Sequence, residues 1–122
     1  MTLIANIGFT TPFFSGDTLD INIPVTSPDG TVYDLSGVAT VGWELREGKV
    51  GSPVGSALVS KSLDDGIVIT DAPGGIMVVH LDPSDTDDLY GVYMYECQIT
   101  LTGGAVHTIV TGAFKIWKDS VE

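Results

Sequence analysis

One cysteine, two histidines and five basic residues are all that 122 positions hold of those types, and each scarcity removes a class of explanation. A lone Cys97 cannot close an internal disulfide, so nothing requires an oxidising compartment, and folding in a cytosol is the expectation. Five Lys and Arg against sixteen Asp and Glu leave a net charge of −11. Phosphate backbones and anionic lipids need clustered cations, so neither nucleic acid nor membrane is an expected partner. No stretch of about 18 apolar residues occurs. The opening MTLIANIGFTTPFF has neither a basic n-region nor a small-residue cleavage site, and the expectation is a soluble, unprocessed chain. Runs of Ala, Glu, Lys and Arg are missing as well, which removes helices as the main element.

What is present is 43% hydrophobic residues, enough for one core, with 15 Gly and 6 Pro spread along the chain as turn punctuation. The expectation is a single domain over 1–122, built of strands. In TLDINIPVT, Leu19, Ile21, Ile23 and Val25 alternate with polar residues, the mark of a strand with one buried face. Asp29-Gly30 and Ser36-Gly37 are turn pairs. VATVGWELRE then places Ala39, Val41, Trp43 and Leu45 on one face, with Trp43 as the central core aromatic. After a Gly-, Ser- and Pro-rich loop, GKVGSPVG, come two short strands, SALVSKS and IVIT, and a stop at DAPGG. In GIMVVHLD, Met77, Val79 and Leu81 point inward. Asp82, Pro83 and Asp85 form a helix-start signature, cut short by Gly91 after a turn or two.

DLYGVYMYEC follows, opening a strand with Tyr93, Tyr95, Cys97, Ile99 and Leu101 on one face. Thr102-Gly103-Gly104 turns it into a last strand with Val106, Thr108, Val110, Gly112, Phe114 and Ile116 in common phase. Seven to nine short strands with turns at regular spacing describe an all-β, immunoglobulin-like antiparallel sandwich with at most one short helical turn. Tyr93 stands where a tyrosine corner would be, and Tyr95 where the immunoglobulin cysteine would be. Aromatic volume against Trp43 replaces the covalent staple, and the expected core is Trp43, Tyr93, Tyr95, Cys97 and Phe114.

Catalytic constellations are not found. Cys97 reads as a buried, inert thiol, because a reactive one needs electropositive neighbours that this chain barely supplies. His80 and His107 fall on outward positions of two strands that could be near each other, yet two ligands without a third do not make a zinc site. Asp82, Asp85, Asp87 and Asp88 lack the calcium-loop spacing, and capping and solubility account for them without calcium. Asp64-Asp65 before Gly66 is turn chemistry. Glu44 and Glu96 are strand carboxylates with nothing in the sequence to fix their separation or divide acid from base. The expectation is no enzyme, no cofactor and no metal. Surfaces remain: Phe9, Phe13 and Phe14 either close the core or dock on a partner, and Trp117, opposite in phase to Phe114 and Ile116, is an outward anchor.

Taken in order, several motifs resemble those of small immunoglobulin-like virion domains of tailed bacteriophages, in particular the N-terminal domain of baseplate upper proteins. They are Gly16-Asp17-Thr18 opening a strand, Asp29-Gly30, Asp34-Leu35-Ser36-Gly37 before the tryptophan strand, and Leu81 followed by an acidic turn containing Thr86. Gly91-x-Tyr93-x-Tyr95 and Thr108-Ile109-x-x-Gly112-x-Phe114 complete the set, which covers nearly the whole chain. The resemblance implies a structural protein of the virion, made in the host cytoplasm, that decorates or joins capsid, neck or tail. Its partners would be other virion proteins, with self-association as a further option. No catalytic residues carry over, and a chain ending at Glu122 without coiled coil or receptor-binding head fits an accessory role. The alternative is a module that binds carbohydrate or a host surface, with Tyr90 or Trp117 stacking on sugar.

Overall fold

The structure, a computed structural model, describes residues 4–5, 13–49 and 52–118 of the 122. The described residues form nine strands, in the order β1-β3-β7-β6-β5-β4-β8-β9-β2. They are β1 (Ile4–Ala5), β2 (Phe13–Phe14), β3 (Leu19–Thr26), β4 (Val38–Lys49), β5 (Ser52–Leu63), β6 (Gly66–Asp71), β7 (Ile76–Leu81), β8 (Gly91–Leu101) and β9 (Val106–Trp117). A 3-10 turn, Leu35–Gly37, precedes β4, and one helical turn, α1 (Pro83–Thr86), separates β7 from β8. Only Ser62↔Gly66 and Leu63↔Ile67 join β5 to β6, so the ladder divides there into a four-stranded and a five-stranded layer. β1 pairs with β3 in one layer and β2 with β9 in the other, so the N-terminal segment serves both. This is the strand order of an immunoglobulin-like sandwich.

Period-2 alternation builds the core from both layers. Ile21, Ile23 and Val25 of β3 and Met77, Val79 and Leu81 of β7 are buried, as are Val41, Trp43 and Leu45 of β4. At the centre Trp43 stacks on Tyr95 (centroids 6.2 Å, 21°) and meets Phe114 edge-on at 6.3 Å; Phe13 meets Phe114 at 5.5 Å. Such pairs add about 0.5–1.5 kcal/mol each beyond the area they bury. The Trp43 indole N–H has no hydrogen-bond partner among the described residues. Its desolvation opposes the gain from the ring, as leaving a buried donor unpaired costs about 1–3 kcal/mol.

Glycine is required where backbone comes too close for any side chain. At Gly75, with φ +69°, a Cβ would lie 2.6 Å from Tyr33 O and 2.9 Å from Val25 O. Gly75 O in turn accepts from Val25 N at 2.8 Å, locking the DAPGG turn onto β3. Gly112 has no unusual φ, yet a Cβ there would meet the Tyr95 hydroxyl at 2.8 Å and its ring at 3.0 Å, so its bare backbone is the floor on which Tyr95 lies.

Three departures from the alternation expected of the sequence are bulges or extensions. Between Val38 and Thr40 the β4–β8 register slips, so Ala39 is exposed and Val38 packs on the core instead. In β9, Cys97 pairs with Val110 but Gln98 with Thr108. The skipped Ile109 is buried, and Val106 and Thr108 point to solvent rather than sharing the Phe114 face. GKVGSPVG is mostly strand, not loop: β4 reaches Lys49 and β5 begins at Ser52. Leu45 pairs with Val59 and Glu47 with Val54, so residues 55–58 stand opposite Arg46 alone, whose Nη1 donates to Gly55 O at 2.9 Å.

Candidate functional site

The outward phase of β8, β9 and β2 gathers apolar side chains at one end of the five-stranded layer. β2 runs parallel to β9 with Phe13 opposite Ile116 and Phe14 opposite Trp117. The first pair is buried, so Phe13 belongs to the core and not to a docking face. The second pair points outward, with Phe14 40% and Trp117 44% exposed. Tyr90 and Val92, both 62% exposed, continue the patch at the start of β8, where Val92 pairs with Lys115. Phe9 lies outside the described residues.

Two lysines cover these rings. Lys115 Nζ stands 3.8 Å from the Trp117 ring centroid and Lys118 Nζ 5.6 Å from that of Tyr90, which are cation–π distances. Beneath the patch, Tyr93 donates its hydroxyl to Tyr90 O at 3.0 Å, the tyrosine corner expected from its place in the chain. Ser15 N donates to Trp117 O at 2.8 Å, and Gly16 N to the buried Thr86 hydroxyl at 3.1 Å. The turn at 15–17 is thus pinned both to the end of β9 and to α1. Met94 was not foreseen: it lies in outward phase between Val92 and Glu96, yet is only 2% exposed.

Across β8, β4 and β5 the same outer face is polar. Glu44 and Glu96 sit directly opposite each other, lining a shallow groove of about 610 Å³ with Ser60, Gln98 and Thr100. Arg46 Nη2 meets Glu44 Oε2 at 3.0 Å, and Glu96 Oε1 accepts from Gln98 Nε2 at 3.1 Å and Thr108 Oγ1 at 3.3 Å. Each carboxylate therefore has its own cation or donors, which offsets the like-charge pairing. The groove offers hydrogen-bond acceptors and hydroxyls. Cys97, on the opposite face of β8, is fully buried, and burial pushes its thiol up to about 12, with the Glu96 charge adding to the rise. A thiol held that high supplies almost no thiolate at neutral pH.

The histidines fall apart. His80 is on β7 and His107 on β9, in different layers, so they do not form a pair. His80 is clamped: Nδ1 lies 2.5 Å from Asp20 Oδ1 across the β3–β7 ladder and Nε2 2.9 Å from Asp82 Oδ1. Donating to the Asp20 carboxylate, and then to that of Asp82, holds the imidazole above its ordinary pKa. Asp82 N donates to Asp85 Oδ2 at 2.7 Å, and Lys61 Nζ meets the same oxygen at 2.8 Å. The acidic turn is thereby used as cap, clamp and tie. Among the described residues no three His, Cys, Asp or Glu side chains converge in a way that would hold a metal ion.

Fold and surface together define the class: an immunoglobulin-like domain whose most distinctive outer feature is a lysine-covered aromatic patch. No model of a known protein family matches the chain, and no curated protein matches it either.

Proposed function

We propose that this domain is a non-enzymatic structural module that docks on a larger assembly through the aromatic end of its five-stranded layer. The observation that carries the reading is Phe14 beside Trp117, both outward, on strands whose inward neighbours Phe13 and Ile116 are fixed in the core. Rigid aromatics on a well-ordered sheet lose little entropy on binding, which is why interfaces concentrate their energy in such residues. On the resemblance carried by Gly16-Asp17-Thr18, Thr86 and Gly91-x-Tyr93-x-Tyr95, the assembly would be a tailed-phage particle. The domain would then be an accessory or joining component of capsid, neck or tail, made in the host cytoplasm. Symmetric repetition of the docking site would let a modest single contact hold by avidity.

A second reading, carbohydrate binding at a host surface, draws on Tyr90 and Trp117 as stacking platforms with the Glu44–Glu96 groove on the same outer face. One comparison separates the two. The chain and its Phe14→Ser/Trp117→Ser variant are incubated with empty capsids and with isolated tails, pelleted, and in parallel titrated against a glycan panel, with near-UV circular dichroism reporting the fold. Docking predicts that the folded variant loses at least tenfold in particle retention and that neither chain binds sugar. Saturable glycan binding lost in the variant, with particle retention unchanged, would establish the second reading instead.

A further inference from the structure

His80 belongs to a closed ring of contacts that is tied to the docking patch. Across the β3–β7 ladder its Nδ1 meets Asp20 Oδ1 at 2.5 Å, and its Nε2 meets Oδ1 of Asp82, the residue that heads α1, at 2.9 Å. From α1 the buried Thr86 hydroxyl accepts from Gly16 N at 3.1 Å, and Gly16 lies just before β3, on which Asp20 stands. The ring thus runs from His80 through Asp82, α1, Thr86 and the turn at residue 16 to Asp20 and back to His80. The same turn is bonded to the patch, since Ser15 N donates to Trp117 O at 2.8 Å directly after Phe14, which pairs with Trp117. The charges that face the imidazole are those of Asp20 and Asp82. Lys61, reaching over from β5, meets Asp85 instead, and the one charge on β6, Asp71, lies at the far end of β7, opposite Ile76.

We infer that His80 is a proton-operated clamp on the docking patch: with both ring nitrogens protonated it closes the ring and holds Phe14 firmly beside Trp117, and with one proton gone the ring opens. Its consequence for binding rests on the docking reading and adds regulation to it. A neutral imidazole has one N–H and one lone pair, so it donates to one carboxylate and faces the other with an acceptor. Two acceptors at hydrogen-bond distance repel, so deprotonation releases either Asp20 or Asp82. Both releases cut the same ring, one at the start of β3 and the other at the head of α1. The two carboxylates hold the imidazole above its ordinary pKa, so the clamp stays closed to a higher pH than a free histidine would allow. The Lys61–Asp85 pair and the bond from Asp82 N to Asp85 do not depend on that proton, so α1 stays in place and the patch loosens without unfolding. A loosened patch must be ordered again on docking, which weakens the contact.

An NMR titration of the full chain from about pH 5.5 to 8, the window in which histidine side chains change charge, tests it. The Gly16 amide and the Trp117 indole N–H should shift with the same midpoint as the His80 ring. In His80→Gln both should stay flat, whereas His107→Gln, altered near the start of β9 in the other layer, should change nothing. Thr86→Val should leave His80 titrating while Gly16 and Trp117 no longer follow it. Retention on capsids or tails should be severalfold greater at the acid end, and that dependence should vanish in His80→Gln. Gly16 and Trp117 signals that ignore the His80 midpoint, a coupling that survives Thr86→Val, or measurable retention that is equal at both ends would overturn the inference. If the signals move together but the chain is retained on no particle at either pH, the clamp stands and the docking reading falls.

Discussion

Tyr95 and Cys97 are two residues apart on one face of β8, yet they do different work. Tyr95 stacks on Trp43, meets Phe114 at a right angle and lies on Gly112, whereas Cys97 is a small buried filler opposite Trp43. Tyr95→Ala should therefore cost about 3–5 kcal/mol, the range for truncating a large buried aromatic, and Cys97→Ala about 1 kcal/mol or less. Gly112→Ala should fall between, at about 1–3 kcal/mol, since the added methyl collides with the Tyr95 ring. Urea titrations measure all three; equal effects for Tyr95→Ala and Cys97→Ala would refute the division of labour. The tyrosine's role was legible in DLYGVYMYEC, because Tyr93 and Tyr95 follow Gly91 at strand spacing. Gly112 as its floor was not, because only the β8–β9 register sets Tyr95 opposite Gly112.

At the scale of elements, the junction of β3, β7 and α1 is held by the His80 clamp between Asp20 and Asp82. The folded state raises the His80 pKa above its ordinary value near 6.5. Its contribution is then fully present below that unfolded value and is lost as pH rises through the folded one. The stability difference between the native chain and His80→Gln should be largest near pH 5.5 and fade towards alkaline pH in thermal melts. Parallel curves would mean that the clamp stores no pH-dependent stability. The helix start at Asp82-Pro83 was legible, since capping is a local pattern. The clamp depends on Asp20 opposing His80 across a ladder, and no sequence period reveals which strands are neighbours. The same limit explains Ala39 and Val106: one bulged residue inverts the phase beyond it, and neither bulge is marked by glycine.

For the molecule as a whole, the excess of carboxylates works against compactness. A charge of −11 on one small domain repels itself, and salt screens that repulsion. Tm should rise between low and ~0.5 M salt. A Tm indifferent to salt would mean that local bonds such as Asp29 to Thr31 and Asp34 to Ser36, which hold those carboxyls below their ordinary pKa, already absorb the charge.

Alternation, turn pairs and the absence of a second cysteine determined an all-β sandwich with Trp43 and Tyr95 at its centre, because burial of one strand face and the chemistry of turns are local matters. Whether Phe13 or Phe14 would be core was left open by the sequence, and so were the neighbours of Trp117. Tertiary structure decided both: pairing β2 in parallel with β9 buries Phe13 against Phe114 and leaves Phe14 beside Trp117. Strand pairing is a long-range choice, made by the closure of one common core and not by any residue's own preference.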